Sequence, residues 1–293
     1  MPEMLFHEQL IAIRGAGDLA TGVALRLHRA GFPIVMLELP APLVVRRTVA
    51  FAEAVRQGKV TVEGVTAELV SDPVQARTLA PKGTIVVMVD PDGTHLRRLR
   101  PSVIVDARLA KRNIDTTRND ARLVVGLGPG FTAGEDVHAV VETMRGHDLG
   151  RVIWEGSAHP DTGTPGLIGS KGAERVLRAP IAGRVRAAKQ IGDAVRESEV
   201  IATIEPELGG QLAQVTAPFD GLLRGLIADD LVVPAGIKIG DLDPRLDVDI
   251  TRVSDKALAL GGGVVEAVLT WLSEEKSRRT SAGSAPNADE GTL

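Results

Sequence analysis

The chain has no cysteine and no tyrosine, and aromatic residues fill only 2% of its 293 positions. Without a thiol there can be no disulfide, thiolate nucleophile, zinc–thiolate or iron–sulfur ligation, and no relay of sulfur or selenium through a cysteine of this chain. Few aromatic faces argue against base-stacking platforms. A formal net charge of -4 offers no basic field, so neither nucleic acid nor a membrane surface is an expected partner. The sequence shows no apolar run approaching the length of a membrane span, and Met1-Pro2-Glu3-Met4 lacks the basic start of a signal peptide. A cytoplasmic location is the resulting expectation.

What is present is ordinary for a folded protein: 44% hydrophobic and 25% charged residues, with length enough for about two domains. Residues 1–145 alternate short apolar runs with helical patterns, which predicts a doubly wound α/β domain with a parallel sheet. Strands are expected at 10–14, 34–38, 84–89, 103–106 and 123–125, and helices at 18–30, 44–57 and 132–144. Residues 146–175 read as a long connection rich in glycine, proline and small polar residues. A β module follows at 176–245. The segment 246–272 carries a helix over 255–271, interrupted by Gly261-Gly262-Gly263, and 273–293 has the small polar composition of a disordered tail.

Gly15-Ala16-Gly17-Asp18-Leu19-Ala20 fits a G-x-G-x-x-A/G pattern between a predicted strand and a predicted helix. There Gly15 permits a tight turn, Gly17 lets backbone approach a pyrophosphate, and the helix start offers free amides. Glu38 ends the next strand, where an acid can accept a ribose hydroxyl. Asp18 would repel a phosphate unless it turns away as a cap, and Arg14 could offset its charge. The same glycines could instead serve only close strand-to-helix packing. A second loop, Gly126-Leu127-Gly128-Pro129-Gly130, follows the last strand and could face the same anionic ligand, or could be a turn that only glycine can adopt.

His138 and Glu142 are spaced to share a helix face, as a hydrogen-bonded pair or as metal ligands. Without further ligands at recognisable spacing, no metal site is expected. Asp106, Arg108, Lys111, Arg112 and Asn113 follow a strand end and suit either phosphate recognition or a surface charge run. Ser254 or Asp255 caps the last helix.

Residues 179–183 (Ala-Pro-Ile-Ala-Gly) recur at 217–221 (Ala-Pro-Phe-Asp-Gly), and the register holds without a gap: Arg186 matches Arg224, Val195 matches Val233, Ile201 matches Ile239 and Glu205 matches Asp243. Each copy is too short for a core of its own, whereas a pair can close one around a pseudo-two-fold axis. This pattern resembles the biotinyl/lipoyl barrel-sandwich family. That family's carriers bear a modified lysine on the hairpin joining the halves, here Glu207 to Gln211, with Gly210 nearest the lysine position. No lysine lies between Lys189 and Lys238, so neither biotin nor lipoate is expected.

The chain as a whole resembles the YqeB family, accessory proteins of the selenium-dependent molybdenum hydroxylase system. The segments carrying this are GAGDLATG (15–22), MLELPAPLVVRRTVAFAEAV (36–55), VDARLAKRN (105–113), GLGPGFTAGEDVHAVVET (126–143), GHDLGRVIWEGSA (146–158), GDLDPR (240–245) and SDKALALGGGVVEA (254–267). The first half is also distantly similar to the Rossmann-type domain of XdhC-type chaperones. The resemblance implies a maturation factor for a molybdenum hydroxylase, with that enzyme or its maturation proteins as partners. It implies a molybdopterin dinucleotide or another nucleotide bound by Gly15, Gly17, Asp18, Ala20, Glu38, Gly126, Gly128 and Gly130. The competing expectations are an NAD-dependent oxidoreductase, with Glu38 repelling the 2′-phosphate of NADP, and a non-enzymatic assembly module. The combined fold expected is Rossmann-like, followed by a small biotinyl/lipoyl-like barrel-sandwich domain.

Overall fold

The computed structural model describes residues 4–163 and 171–283. Its N-terminal part is one mixed sheet built from β1 (Ile11–Arg14), β2 (Ile34–Glu38), β3 (Lys59–Val62), β4 (Val65–Leu69), β5 (Ile85–Val89), β6 (Val103–Asp106), β7 (Leu123–Leu127), β9 (Ala139–Val141) and β10 (Val152–Ile153), in the order β10-β9-β7-β6-β1-β2-β5-β4-β3. The short strands β8 (Thr132–Ala133) and β11 (Gly156–Ser157) pair with each other outside it. The central strands are parallel, while β3 and β10 pair antiparallel at the two edges. Strands β1, β6 and most of β2, β5 and β7 are buried throughout, as expected of strands covered on both faces.

Alternation along the strands sorts side chains onto those faces. Ile11, Ile13, Ile34 and Met36 pack on one side with Val23 and Leu27 of α1 (Asp18–Arg29) and Leu260 and Val264 of the last helix. Ala12, Val35, Val86 and Met88 pack on the other with Ala76 of α3 (Pro73–Leu79) and Leu96 and Leu99 of α4 (Thr94–Leu99). A one-turn helix, α2 (Ala54–Gln57), precedes β3.

Several expectations are corrected here. The helix expected over 44–57 is two 3-10 turns, Arg47–Val49 and Phe51–Glu53, followed by α2. The helix expected over 132–144 is absent. That stretch forms β8 and β9, and β9 runs parallel to β7 without a helical crossover. Its apolar residues Val137, Ala139, Val140 and Val141 are all buried, so their run reflects a strand inside the sheet. The long connection contributes β10 and β11.

The β module forms two separate four-stranded antiparallel sheets. One joins β12 (Val176–Arg178), β19 (Lys238–Asp243), β17 (Gly221–Leu226) and β14 (Ala194–Val195); the other joins β16 (Ala213–Thr216), β15 (Val200–Glu205), β13 (Gly183–Ala187) and β18 (Val232–Val233). The copies exchange strands, β14 of the first pairing with β17 of the second and β13 with β18. Their shared core holds Val185, Val195, Ile201, Leu223, Val233 and Ile239. Equivalent glycines are required for one reason: a Cβ on Gly183 would lie 2.3 Å from the Glu205 carbonyl oxygen, and one on Gly221 2.5 Å from that of Asp243.

The architecture is therefore neither of the two expected. The sheet is nine-stranded and mixed where a doubly wound Rossmann-like sheet was expected. Among the described residues no ladder joins the two small sheets, so the biotinyl/lipoyl-like barrel does not close.

Helix α5 (Asp255–Gly283) is continuous through Gly261-Gly262-Gly263 and runs on past 273, where a disordered tail was expected. Residues 284–293 of that tail lie outside the described ones. Over Asp255–Arg278 α5 is long and apolar enough to cross a membrane by length and composition, where no run of that length was expected. Its apolar face is packed on α1 and the sheet.

Candidate ligand cavity

Strands β1, β2, β5 and β6 all end on one side of the sheet, and a cavity of about 540 Å³ opens there. Its lining includes Gly15, Gly17, Asp18, Ala20, Glu38, Asp90, Arg108 and Asp115. Gly15 turns the chain out of β1 at φ +97, and a Cβ there would press on the Ala107 carbonyl oxygen at 3.2 Å. Gly17 differs: its backbone is extended and an added Cβ would meet only Val44 Cγ2, at 3.9 Å. The protein's own packing leaves the space above Gly17 open.

Glu38 closes the loop from below. Its Oε2 accepts the Ala16 N–H at 2.8 Å and its Oε1 the Leu39 N–H at 2.7 Å. Burial pushes this carboxyl up, and the two amide bonds offset that only in part. One amide of the glycine loop is thus already satisfied internally, although each carboxylate oxygen keeps capacity for a hydroxyl donor. Asp18, the first residue of α1, makes no side-chain cap and lies 3.7 Å from Arg46. Arg46, reaching in from the segment before the 3-10 turns, offsets the carboxylate where Arg14 was the expected partner.

Arg14 is buried and committed elsewhere. It donates to Thr116 Oγ1 at 2.6 Å and to Asp115 Oδ2 at 2.7 Å. Arg108 holds the buried Asp106 at 2.6 Å and Asp115 at 2.7 Å. Burial pushes the Asp115 carboxyl up, but the bonds from Arg14 and Arg108 outweigh it and hold it below its usual range. Asn113 braces the Thr116 backbone. Asp106, Arg108 and Asn113 of the cluster after β6 are therefore part of an internal network at the cavity rim, while Lys111 pairs with Asp161.

The second glycine loop does not join the first. A Cβ on Gly126 would strike the Phe131 ring at 2.6 Å, one on Gly128 the Thr143 Oγ1 at 2.6 Å, and one on Gly130 the Arg112 backbone at 2.5 Å. Gly128 and Gly130 also adopt φ of +76 and +104. Close packing explains all three, and none lines the cavity. His138 and Glu142 also part: His138 Nδ1 accepts the Val124 N–H at 3.0 Å, while Glu142 pairs with His159 at 2.8 Å.

Sequence reasoning missed Asp90, whose two carboxylate oxygens accept the His95 and Leu96 N–H groups at 2.9 Å beside the cavity. The signal was there in Asp90-Pro91-Asp92-Gly93, a turn directly after a buried strand. Ser254 is the cap of α5, its Oγ accepting the Ala257 N–H at 3.1 Å.

No protein-family model matches the chain. Among curated proteins it is 52% identical over 267 residues to the uncharacterized protein YqeB of Escherichia coli (strain K12), covering 91% of this chain and 48% of that protein. The chain is thus similar to YqeB and spans about half its length. Solved structures with partial likeness are an aspartoacylase family protein of Mesorhizobium loti, 11% identical with a TM-score of 0.29 over 80% of this chain and 85% of that one, and a succinylglutamate desuccinylase/aspartoacylase of Rhodobacter sphaeroides, 14% identical with a TM-score of 0.27 over 82% and 86%. A succinylglutamate desuccinylase of Silicibacter sp. TM1040 is 12% identical with a TM-score of 0.25 over 80% and 85%.

Proposed function

We propose that this protein is an accessory factor in the maturation of a molybdenum hydroxylase, the selenium-dependent system being the particular case, and that it holds a nucleotide-type cofactor such as molybdopterin dinucleotide. The observation that carries the ligand class is the open backbone at Gly17 beside the buried acceptor Glu38 in one 540 Å³ cavity. A cavity of that size suits a small ligand. A phosphate would approach Gly17 and the start of α1, and ribose hydroxyls would donate to Glu38 and Asp90. The choice of system rests on the family resemblance carried by segments such as 15–22, 105–113 and 126–143. The proposed partner is the client hydroxylase or another of its maturation proteins.

Melting curves with molybdopterin dinucleotides, NAD, ADP, CTP and GTP test the reading. A rise with a molybdopterin dinucleotide that is lost in Gly17→Leu is expected. A rise with NAD alone, accompanied by turnover, would identify an oxidoreductase; no rise with any compound overturns ligand holding altogether.

A further inference from the structure

A second cavity, of about 440 Å³, lies between the ends of β7 and β9, residues 159–162 and the first turn of α5. Leu109, Leu127, Pro129 and Met144 give it an apolar wall, and His159 and Lys256 face it with polar groups. Glu142, buried at 1% exposure, fixes His159. Its Oε1 accepts the Thr143 and Met144 N–H groups, and its Oε2 accepts the His159 backbone N–H and Nδ1, both at 2.8 Å. Burial works against the charge on Glu142, but these four donors overcome it and hold the carboxyl below its usual range. An ionised carboxylate only accepts, so Nδ1 carries a proton, and in the singly protonated ring Nε2 is the acceptor. Among the described residues Nε2 has no partner.

Lys256 complements it. Lys111 is paired with Asp161 and Arg145 with Asp255, whereas the Lys256 ammonium makes no hydrogen bond or ion pair among the described residues. Burial pushes its ammonium down and nearby Arg145 adds to this, against weaker support from Asp18, Glu142 and Asp161. A half-buried cation without a counterion favours an incoming anion.

We propose that this cavity binds a small hydroxy carboxylate with an apolar substituent, the carboxylate on Lys256 Nζ, the hydroxyl donating to His159 Nε2 and the hydrocarbon on the Leu109–Met144 wall. The set of groups selects this class: a cation without a counterion among the described residues, an acceptor oriented by Glu142 and an apolar surface in one small cavity. The site shares only Leu109 with the nucleotide cavity and stands independently of that reading.

Calorimetric titration of the full chain with mandelate, phenylacetate and methyl mandelate tests it. Phenylacetate lacks the hydroxyl and the ester lacks the charge. Mandelate should bind roughly tenfold tighter than either, the worth of one lost hydrogen bond to a charged or fixed group. In Lys256→Met mandelate should fall to the level of its ester, and in His159→Ala to that of phenylacetate. The nitrogen resonances of the His159 ring, followed by NMR in the unmodified protein, should shift with mandelate and not with phenylacetate. Equal affinities of the unmodified protein for all three compounds, no binding, or an undiminished preference in Lys256→Met overturns the assignment.

Discussion

Gly22 of α1 and Ala257 of α5 meet so closely that a Cβ on Gly22 would lie 2.5 Å from the Ala257 Cβ and 2.7 Å from its carbonyl oxygen. Gly261 repeats the contact one turn on, its added Cβ standing 2.8 Å from the Gly22 carbonyl oxygen and 2.6 Å from Arg26 Cγ. Of the run of glycines that reads as a helix breaker, Gly261 lets the two helices dock and Gly263 lets α5 approach the Gly150 carbonyl, while a Cβ on Gly262 would meet nothing within 4 Å.

Gly22→Ala sets two effects against each other. Helix propensity favours alanine by about 1 kcal/mol, while overpacking costs about 1–3 kcal/mol. The backbone contact leaves no flexible side chain to yield, so a net loss of about 1–2 kcal/mol is expected in urea unfolding. A stabilised Gly22→Ala would show that α1 and α5 are not in contact as described.

Glu142→Gln should be more severe. The amide nitrogen must face one pair of N–H donors that the carboxylate now accepts. A loss of about 3 kcal/mol is expected, since buried donors are left unpaired. An unchanged denaturation midpoint at neutral pH would sink the four-donor arrangement.

Asp255 provides a pH signature. The paired bonds from Arg145, at 2.6 and 2.9 Å, lower its carboxyl from 3.8 to about 2. A depressed folded-state value stabilises above the unfolded value, so the contribution is present above about pH 4 and fades as pH falls towards 2. Its side chain is 74% exposed, which limits the gain to under about 1 kcal/mol. The stability difference between the unmodified protein and Asp255→Asn should therefore be small at pH 6 and shrink steadily on acidification.

The duplicated arginines should respond unequally. Arg186 meets Glu205 at 2.9 Å with both side chains 48% exposed, whereas its equivalent Arg224 sits over Asp241 and Asp243, which are 1% and 0% exposed. Arg186→Ala should cost under about 1 kcal/mol, and Arg224→Ala more, about 1.5–3 kcal/mol, since two buried carboxylates lose charged hydrogen bonds while Asp241 keeps Arg175 and Lys238 and Asp243 keeps Arg245. Thermal unfolding of the two variants makes the comparison, and equal losses would contradict the difference in burial.

How far the sequence can be read is shown by a few residues. The tight turn at Gly15, the strand–loop–helix around it and the place of Glu38 at the end of β2 follow from local pattern, because a buried strand, a left-handed glycine and a helix start each leave a mark within a few positions. The bond from Ala16 to Glu38 leaves none, since it joins positions brought together by β1 and β2 lying side by side. His138 and Glu142 show the opposite failure. Helical spacing put them on one face, yet Val137, Ala139, Val140 and Val141 are buried as sheet neighbours of β7, and tertiary pairing overrode the period.

The sequence by itself determined the duplication, the absence of thiol chemistry, the central strands β1, β2, β5, β6 and β7, and the glycine turn with Glu38 beside it, since composition and short-range periodicity carry those. Only the tertiary structure decided that the sheet is mixed and nine-stranded, that the second glycine loop is packing, that α5 docks on α1 through glycine, and that Glu142, His159 and Lys256 gather at one cavity. Those outcomes depend on which distant segments become neighbours, and strand order and close backbone approach are set by the burial of the whole chain.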